Sequence, residues 1–215
     1  MKIFLDTADT EAIKKGYETG LVDGITTNPS LIMKSGRDPE EVYKELIDLG
    51  IPDISMEVVG NREQMLWEGR RLANKFGQHS TIKVPCTPDG LLACKALSDE
   101  SIRVNVTLIF SVAQAVLAAK AGAKYVSPFV GRLDDNSHNG VELIAQIAGL
   151  YNQQMIRTEV LAASLRDVPS VSKCFGVGSD IVTMPPSVFE KMYKHVLTDK
   201  GLDQFDKDYA ASIGE

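Results

Sequence analysis

The sequence predicts an α/β fold, a single (β/α)8 TIM-type barrel with an extra C-terminal helix. Short β-branched runs alternate with longer amphipathic stretches eight times along 215 residues, which is typical of βα units around a parallel sheet. The composition, 44% hydrophobic and 24% charged, is that of an ordinary globular chain, and no repeat or linker divides it. We therefore expect one domain over 1–215, below the usual barrel size of about 250 residues. A doubly wound open sheet is the alternative.

The strand patterns are short runs rich in Val, Ile and Thr. In chain order they lie near residues 2–6, 22–27, 53–59, 80–85, 102–107, 124–130, 158–164 and 179–184. Helical periodicity separates them, most clearly over 61–76, 88–98, 111–121 and 140–151. A last amphipathic stretch, 198–212, places Leu202, Phe205 and Tyr209 on one face. Eight βα units do not need this helix, so we expect the extension 198–215 to dock on a neighbouring subunit.

Charge and cysteine usage exclude several functional classes. A formal net charge of -6 disfavours general binding to nucleic acid or to an anionic membrane, which needs an excess of Lys and Arg. Asp6 interrupts the N-terminal apolar run before a signal-peptide core forms, and no apolar stretch has membrane-spanning length. Cys86, Cys94 and Cys174 have no paired spacing, and the His residues are scattered. We expect a cytoplasmic protein with reduced thiols, without a metal centre or cofactor.

Three consecutive strands carry polar residues on the face that points into the barrel. Side chains alternate across a strand, so the outward apolar residues Ile82 and Val84 turn Lys83 inward. The same parity turns two more pairs inward, Ser55 with Glu57 and Asn105 with Thr107. Charged groups in a barrel interior cost desolvation energy unless they pair or function. The cluster of Glu57, Lys83 and Thr107 is therefore a candidate site near the C-terminal strand ends.

Lys83 is the strongest single candidate in this cluster. A lysine in an apolar strand is alternatively an edge residue that prevents aggregation, but a closed barrel has no edge. Burial disfavours the charged form of an amine, and a neutral amine attacks a ketone. Glu57 opposes that effect electrostatically, yet it is placed to help proton transfer.

Further polar candidates end other strands. Asp6, Asn28, Phe129 and Ser164 have the inward orientation at their strand ends. Asp6 and Asn28 are alternatively helix caps, since Asp and Asn favour that position and Pro follows Asn28. Ser164 and Thr107 taken alone are weak signals.

Two arginines follow late strands, Arg132 after the sixth and Arg166 after the seventh. A single surface Arg is usually a solvated charge. In barrels, however, loops late in the chain often hold a substrate phosphate, and Arg binds phosphate well. Two such residues at one rim of an acidic protein predict a phosphate site.

Six local strings, in order, resemble the transaldolases, specifically the short subfamily shared with the fructose-6-phosphate aldolases. The resemblance runs nearly end to end. Each string alone is weakly diagnostic, and the six together are specific. They are FLDT at 4–7, GITTNPS at 24–30, IKVP at 82–85, NVTLIFS at 105–111, SPFVGR at 127–132 and AASLR at 162–166.

The resemblance implies transfer of a dihydroxyacetone unit in the pentose phosphate pathway. Sedoheptulose 7-phosphate and glyceraldehyde 3-phosphate exchange with erythrose 4-phosphate and fructose 6-phosphate. By matching position, Lys83 is the Schiff-base nucleophile and Asp6 the base that takes the C4 hydroxyl proton. Glu57 and Thr107 correspond to the pair that holds a water during carbinolamine formation and dehydration. No cofactor is implied, because the protonated imine is itself an electron sink.

The substrate-binding positions follow in the same way. Asn28, Asn105 and Ser164 match residues that bind substrate hydroxyls, and Arg132 and Arg166 match phosphate binders. The resemblance also implies a homo-oligomer built of rings of five that pair, a pentamer or a decamer.

Two alternative functions remain open. One is a fructose-6-phosphate aldolase that releases free dihydroxyacetone, and the other is a non-catalytic binder of sugar phosphates. Aldolases of the short subfamily carry Gln and Tyr at the positions of Glu57 and Phe129, whereas transaldolases carry Glu and Phe. A Tyr hydroxyl can help protonate the enamine and a Phe ring cannot, so this chain resembles the transferase more closely.

Overall fold

The computed structural model describes residues 1–213 and contains a closed barrel of eight parallel strands in sequence order. The last strand pairs with the first, with Lys2 opposite Ile181 and Leu5 opposite Met184, so the open-sheet alternative is wrong. The strands are β1 (Lys2–Asp6), β2 (Gly24–Thr26), β3 (Ile54–Glu57), β4 (Ser80–Pro85), β5 (Val104–Ile109), β6 (Tyr125–Pro128), β7 (Glu159–Ala162) and β8 (Ile181–Met184).

Helices connect the strands and cover the outside of the barrel. They are α1 (Thr10–Tyr17), α2 (Pro29–Ser35), α3 (Pro39–Asp48), α4 (Arg62–Phe76), α5 (Pro88–Asp99), α6 (Val112–Lys120), α7 (Val130–Asp134), α8 (Gly140–Gln153), α9 (Val168–Gly176), α10 (Pro186–Lys191) and α11 (Val196–Ile213). Local capping fixes most starts: Asp38 and Asp167, for example, accept hydrogen bonds from first-turn amides and are followed by Pro within two residues.

Several strand bounds differ from the sequence-based prediction. The strands predicted over 22–27, 53–59, 124–130 and 158–164 are shorter in the structure, where they end at Thr26, Glu57, Pro128 and Ala162. Phe129 and Ser164 therefore lie just past the strand ends rather than in the strands, and Phe129 forms only an isolated bridge to Ala163. The strand predicted over 102–107 begins and ends two residues later, and its register against β6 shifts between Val106 and Ile109. This bulge contains Leu108, which has a φ of 59°.

The lower, N-terminal end of the barrel interior is closed by packing and a buried charge. Phe4, Tyr125, Leu161, Ala163 and Ile181 form an apolar cluster inside the barrel. Below it the Asp53 carboxylate accepts hydrogen bonds from Tyr125 Oη at 2.7 Å, Thr81 Oγ1 at 2.8 Å and Arg103 Nη1 at 3.0 Å. These donors satisfy the carboxylate, so burying it is tolerated. Access to the interior is thereby confined to the opposite end, where the strands terminate.

The predicted C-terminal helix is confirmed as α11, which extends the predicted stretch 198–212 slightly at both ends. None of its described residues is buried, and Phe205 and Tyr209 are 70% and 67% exposed. The apolar face predicted from the sequence is thus uncovered in the single chain. Across residues 1–213, neither α11 nor any other helix has the length and hydrophobicity needed to cross a membrane.

Candidate active site

Lys83 and Glu57 meet inside the barrel as neighbours on adjacent strands. Their Cα atoms are in register between β3 and β4, which places both side chains on the inner face. Lys83 Nζ lies 2.9 Å from Glu57 Oε2 and donates a second hydrogen bond, 3.0 Å long, to the Thr27 carbonyl. Lys83 is only 4% exposed. The amine is therefore held by two acceptors, one of which can exchange a proton with it.

Asp6 ends β1, and its carboxylate also points inward. Thr26 Oγ1 donates to Asp6 Oδ1 at 2.8 Å, and Thr26 Oγ1 lies 2.7 Å from Thr183 Oγ1. The hydroxyl proton of Thr26 is used in the hydrogen bond to Asp6, so Thr26 Oγ1 accepts a hydrogen bond from Thr183 Oγ1. Burial raises the pKa of Asp6, while the Lys83 charge and the Thr26 hydrogen bond oppose the rise. The capping alternative for Asp6 is wrong, because Asp9 caps α1.

Asn28 has a structural role as well as a place at the site. Its Oδ1 accepts a hydrogen bond from the Leu31 amide at 3.0 Å, so the residue caps α2 as the alternative reading expected. Asn28 nevertheless lines the central cavity. The cap uses only the carboxamide oxygen, and the amide nitrogen takes no part in it.

Asn105 lies deeper than the residues that surround the cavity. It is fully buried, its Nδ2 donates to Ser55 Oγ at 3.2 Å, and its Oδ1 accepts from Ser127 Oγ at 2.7 Å. The structure therefore places Ser127, and not Asn105, among the cavity-lining residues. Asn105 orients Ser127 through this hydrogen bond.

Thr107 lies on β5 within the bulge between Val106 and Ile109. Its side chain is buried, and within residues 1–213 its Oγ1 is the one buried side-chain N or O atom without a hydrogen-bond partner. An unpartnered buried hydroxyl costs free energy, so its retention at this position calls for an explanation such as a functional role. The register puts Thr107 opposite Pro85, two residues beyond Lys83 on β4.

These residues surround a central cavity of about 120 Å³ at the C-terminal end of the barrel. Most of its lining groups are hydroxyl, amide or charged side chains. The lining residues are Asp6, Thr26, Asn28, Lys83, Ser127, Phe129, Arg132, Ala163, Ser164 and Thr183. Four residues of the predicted set do not line this cavity: Glu57, Asn105, Thr107 and Arg166. Four lining residues were not in the predicted set: Thr26, Ser127, Ala163 and Thr183.

Phe129 and Arg132 form one side of the cavity mouth. The Arg132 guanidinium stacks on the Phe129 ring at 4.9 Å from its centroid, and Phe110 packs edge-on against the same ring at 5.8 Å. The ring is therefore held in place between two neighbours. Ser164 lies beside it with a φ of 60°, and its carbonyl accepts a hydrogen bond from the Gly131 amide at 3.2 Å.

Arg166 lies on the outside of this rim. Its guanidinium forms an ion pair with Asp135, and both side chains are about half exposed. Arg132 and Arg166 are thus on neighbouring segments, but only Arg132 faces the central cavity.

A larger cavity of about 380 Å³ lies between α2, α3 and α4 and also reaches Asn28 and Glu57. Its charged lining groups are carboxylates, including Asp38, Glu40 and Glu68, so it is unsuited to a phosphate ester. The central cavity, which contains Lys83, is the better candidate for chemistry.

The other potential nucleophiles are poorly placed. Burial raises the pKa of Cys94 to about 11 and that of Cys174 to about 12, so both thiols stay protonated near neutral pH. In the described part of the chain, no group of three or more His, Cys, Asp or Glu residues is close enough together to hold a metal ion.

Comparison with known proteins agrees with this geometry. The family described as Transaldolase/Fructose-6-phosphate aldolase matches residues 3–215. A probable transaldolase of Paracoccus denitrificans (strain Pd 1222) is 53% identical over 211 residues, covering 98% of this chain and 97% of the relative. A probable transaldolase of Caulobacter vibrioides (strain NA1000 / CB15N) is 51% identical over 213 residues, covering 99% and 98%. One from Cereibacter sphaeroides (strain ATCC 17029 / ATH 2.4.9) is 54% identical over 211 residues, covering 98% and 96%. The chain therefore belongs to the transaldolase/fructose-6-phosphate aldolase family.

Proposed function

We propose that the protein is a transaldolase that moves a dihydroxyacetone unit through a Schiff base on Lys83. The donors are sedoheptulose 7-phosphate and fructose 6-phosphate, and the acceptors are glyceraldehyde 3-phosphate and erythrose 4-phosphate, within the pentose phosphate pathway of the cytoplasm. The observation that carries this proposal is the Lys83 amine, which lines a polar cavity and lies 2.9 Å from a Glu57 carboxylate oxygen.

Schiff-base formation begins when the Lys83 ammonium gives a proton to Glu57. The neutral amine then attacks the ketone carbon C2 of the donor, and the carbinolamine loses its oxygen as water after protonation. Glu57 and the unpartnered hydroxyl of Thr107 are suited to hold that water. The resulting protonated imine withdraws electrons from the neighbouring carbons.

Carbon–carbon cleavage needs a base at the C4 hydroxyl, and Asp6 suits this role. Its carboxylate lines the cavity next to Lys83 and is oriented by Thr26. Asp6 takes the hydroxyl proton, the C3–C4 bond breaks, and the electron pair moves into the enamine on Lys83. Asn28, Ser127 and Ser164 line the same cavity and are suited to bind the substrate hydroxyls. The aldose phosphate departs, and an acceptor aldose reverses the sequence until hydrolysis of the imine frees the product.

Phe129 supports transfer over release of free dihydroxyacetone. Its ring lines the cavity, has no donor group, and is held by Arg132 and Phe110. The enamine is therefore kept from a proton donor on that side until an aldehyde captures it. A fructose-6-phosphate aldolase belongs to the same family, so release of dihydroxyacetone is the competing outcome.

One comparison of two rates tests this assignment. Transfer from fructose 6-phosphate to erythrose 4-phosphate should greatly exceed release of dihydroxyacetone on the same preparation. Phe129→Tyr should shift the ratio toward release, while Phe110→Tyr, a matched control whose side chain does not line the cavity, should leave the ratio unchanged. Faster release than transfer in the unmodified protein would identify an aldolase.

A further inference from the structure

We propose that Asp135 determines how strongly the site discriminates in favour of phosphorylated sugars, by competing with the phosphate for Arg166. The proposal rests on the proposed function and on the phosphate-binding roles that the family resemblance implies for Arg132 and Arg166. Asp135 occupies the guanidinium of Arg166 in the ligand-free protein, and a phosphate must share or displace it.

The backbone brings these two residues together. Asp135 is the C-terminal cap of α7, and Arg166 follows β7 beside the first turn of the same helix. Arg166 Nη1 forms its ion pair with Asp135 Oδ1. The Arg166 side chain packs against α7 at Gly131, where an added Cβ would be 3.0 Å from Arg166 Nε and would also collide with the Ser164 carbonyl oxygen. The absence of a side chain at Gly131 thus permits Arg166 to approach α7 closely.

The charges at the rim show why this contact matters. Within residues 1–213, Arg132 forms no ion pair with a carboxylate and rests on the Phe129 ring, whereas Arg166 is paired with Asp135. The adjacent carboxylate, Asp134, is turned away and accepts a hydrogen bond from the Gly140 amide at 2.9 Å. Of the two guanidinium groups that the proposal assigns to the phosphate, that of Arg166 is therefore neutralised by Asp135.

The size of the effect follows from exposure. The Arg166 and Asp135 side chains are 53% and 48% exposed, so solvent screens their attraction. Exposed ion pairs of this kind change an equilibrium by about 1.5- to 5-fold. Removing the carboxylate charge should strengthen phosphate binding by that factor. A sugar without phosphate should be indifferent to the change.

The test compares Asp135→Asn with a matched control, Glu100→Gln. Glu100 forms an equally exposed ion pair with Arg70, 2.6 Å long, away from the central cavity. For Asp135→Asn, the KM for erythrose 4-phosphate should fall by about 1.5- to 5-fold at low ionic strength. The difference should shrink at about 0.5 M salt because charges are screened. Borohydride trapping of dihydroxyacetone, which has no phosphate, should proceed at the same rate in both variants.

A double-mutant cycle makes the claim specific to Arg166. In an Arg166→Gln background, where KM for the phosphorylated acceptor is already raised, Asp135→Asn should have no further effect. A KM that rises or stays constant in Asp135→Asn, or that falls equally without Arg166, would overturn the proposal. If the wild-type protein shows no transfer activity, the proposed function fails. In that case the role of Asp135 is tested by calorimetry with inorganic phosphate, for which the affinity of Asp135→Asn should exceed that of the wild-type protein.

Discussion

Replacing Thr26 by Val should move the acid limb of the cleavage reaction to higher pH. Thr26 Oγ1 donates a 2.8 Å hydrogen bond to Asp6 Oδ1 and lies 2.7 Å from Thr183 Oγ1. Val has nearly the same shape as Thr but lacks the hydroxyl, so the substitution removes this donor with little change in packing. The effect on catalysis is then an effect on the Asp6 carboxylate.

The sign and size of the shift follow from the hydrogen bond. Burial already raises the pKa of Asp6, and the Thr26 hydrogen bond opposes that rise because it stabilises the ionised form. Hydrogen bonds to charged groups contribute about 1.5–3 kcal/mol. Losing this donor should therefore raise the pKa of Asp6 further. In the proposed mechanism cleavage needs ionised Asp6, so activity should fall away at a higher pH than in the unmodified protein.

The assay is the pH dependence of kcat/KM for fructose 6-phosphate cleavage in the presence of an acceptor. Thr183→Val, which removes the donor to Thr26, should shift the limb in the same direction by less. Thr81→Val is the matched control, because its hydroxyl donates an equally short hydrogen bond to the buried Asp53 carboxylate at the other end of the barrel. It should lower stability without moving the limb. If the acid limb of the kcat/KM profile of Thr26→Val stays in place or moves to lower pH, the reasoning is refuted.

Two further predictions concern the base and the terminal helix. Asp6→Asn should slow cleavage by a factor of order 10² to 10⁴ and still permit borohydride trapping; its thermal stability should rise at neutral pH. The pKa of Asp6 is higher in the folded protein than in the unfolded chain, so the free energy of unfolding declines as the pH rises from the unfolded pKa through the folded pKa. Asn does not ionise, so the substitution removes this decline. A destabilised variant or an unchanged rate contradicts this. We also propose that the exposed apolar face of α11 packs on a neighbouring subunit, so deleting residues from 198 onward should disturb assembly in a sizing experiment; an unchanged, fully active particle counts against it.

Strand periodicity was sufficient to predict the barrel and the inward direction of Lys83. The alternation of Ile82 and Val84 around Lys83 depends only on backbone geometry, and the order of the strands then made Glu57 its neighbour. The inward direction of Lys83 and its pairing with Glu57 follow from regular strand geometry, so they can be predicted from the sequence pattern.

Features that depend on register and side-chain geometry were not predicted. The hydroxyl pair of Thr26 and Thr183 arises because β8 closes on β1, which brings together residues far apart in the chain. Phe129 and Ser164 lie just beyond the ends of β6 and β7, and periodicity does not define those ends to the residue. The ion pair of Arg166 with Asp135 joins two segments that are separate in the sequence, and no local pattern reveals it.

The most direct test of the central claim is the identity of the residue that forms the covalent intermediate. Borohydride reduction in the presence of fructose 6-phosphate should inactivate the protein and add the mass of a reduced dihydroxyacetone unit to one peptide, the one containing Lys83. The Lys83→Met variant should remain unlabelled and inactive. Labelling at another lysine, or transfer by the wild-type protein without any trapped adduct, would contradict a Schiff-base mechanism at Lys83.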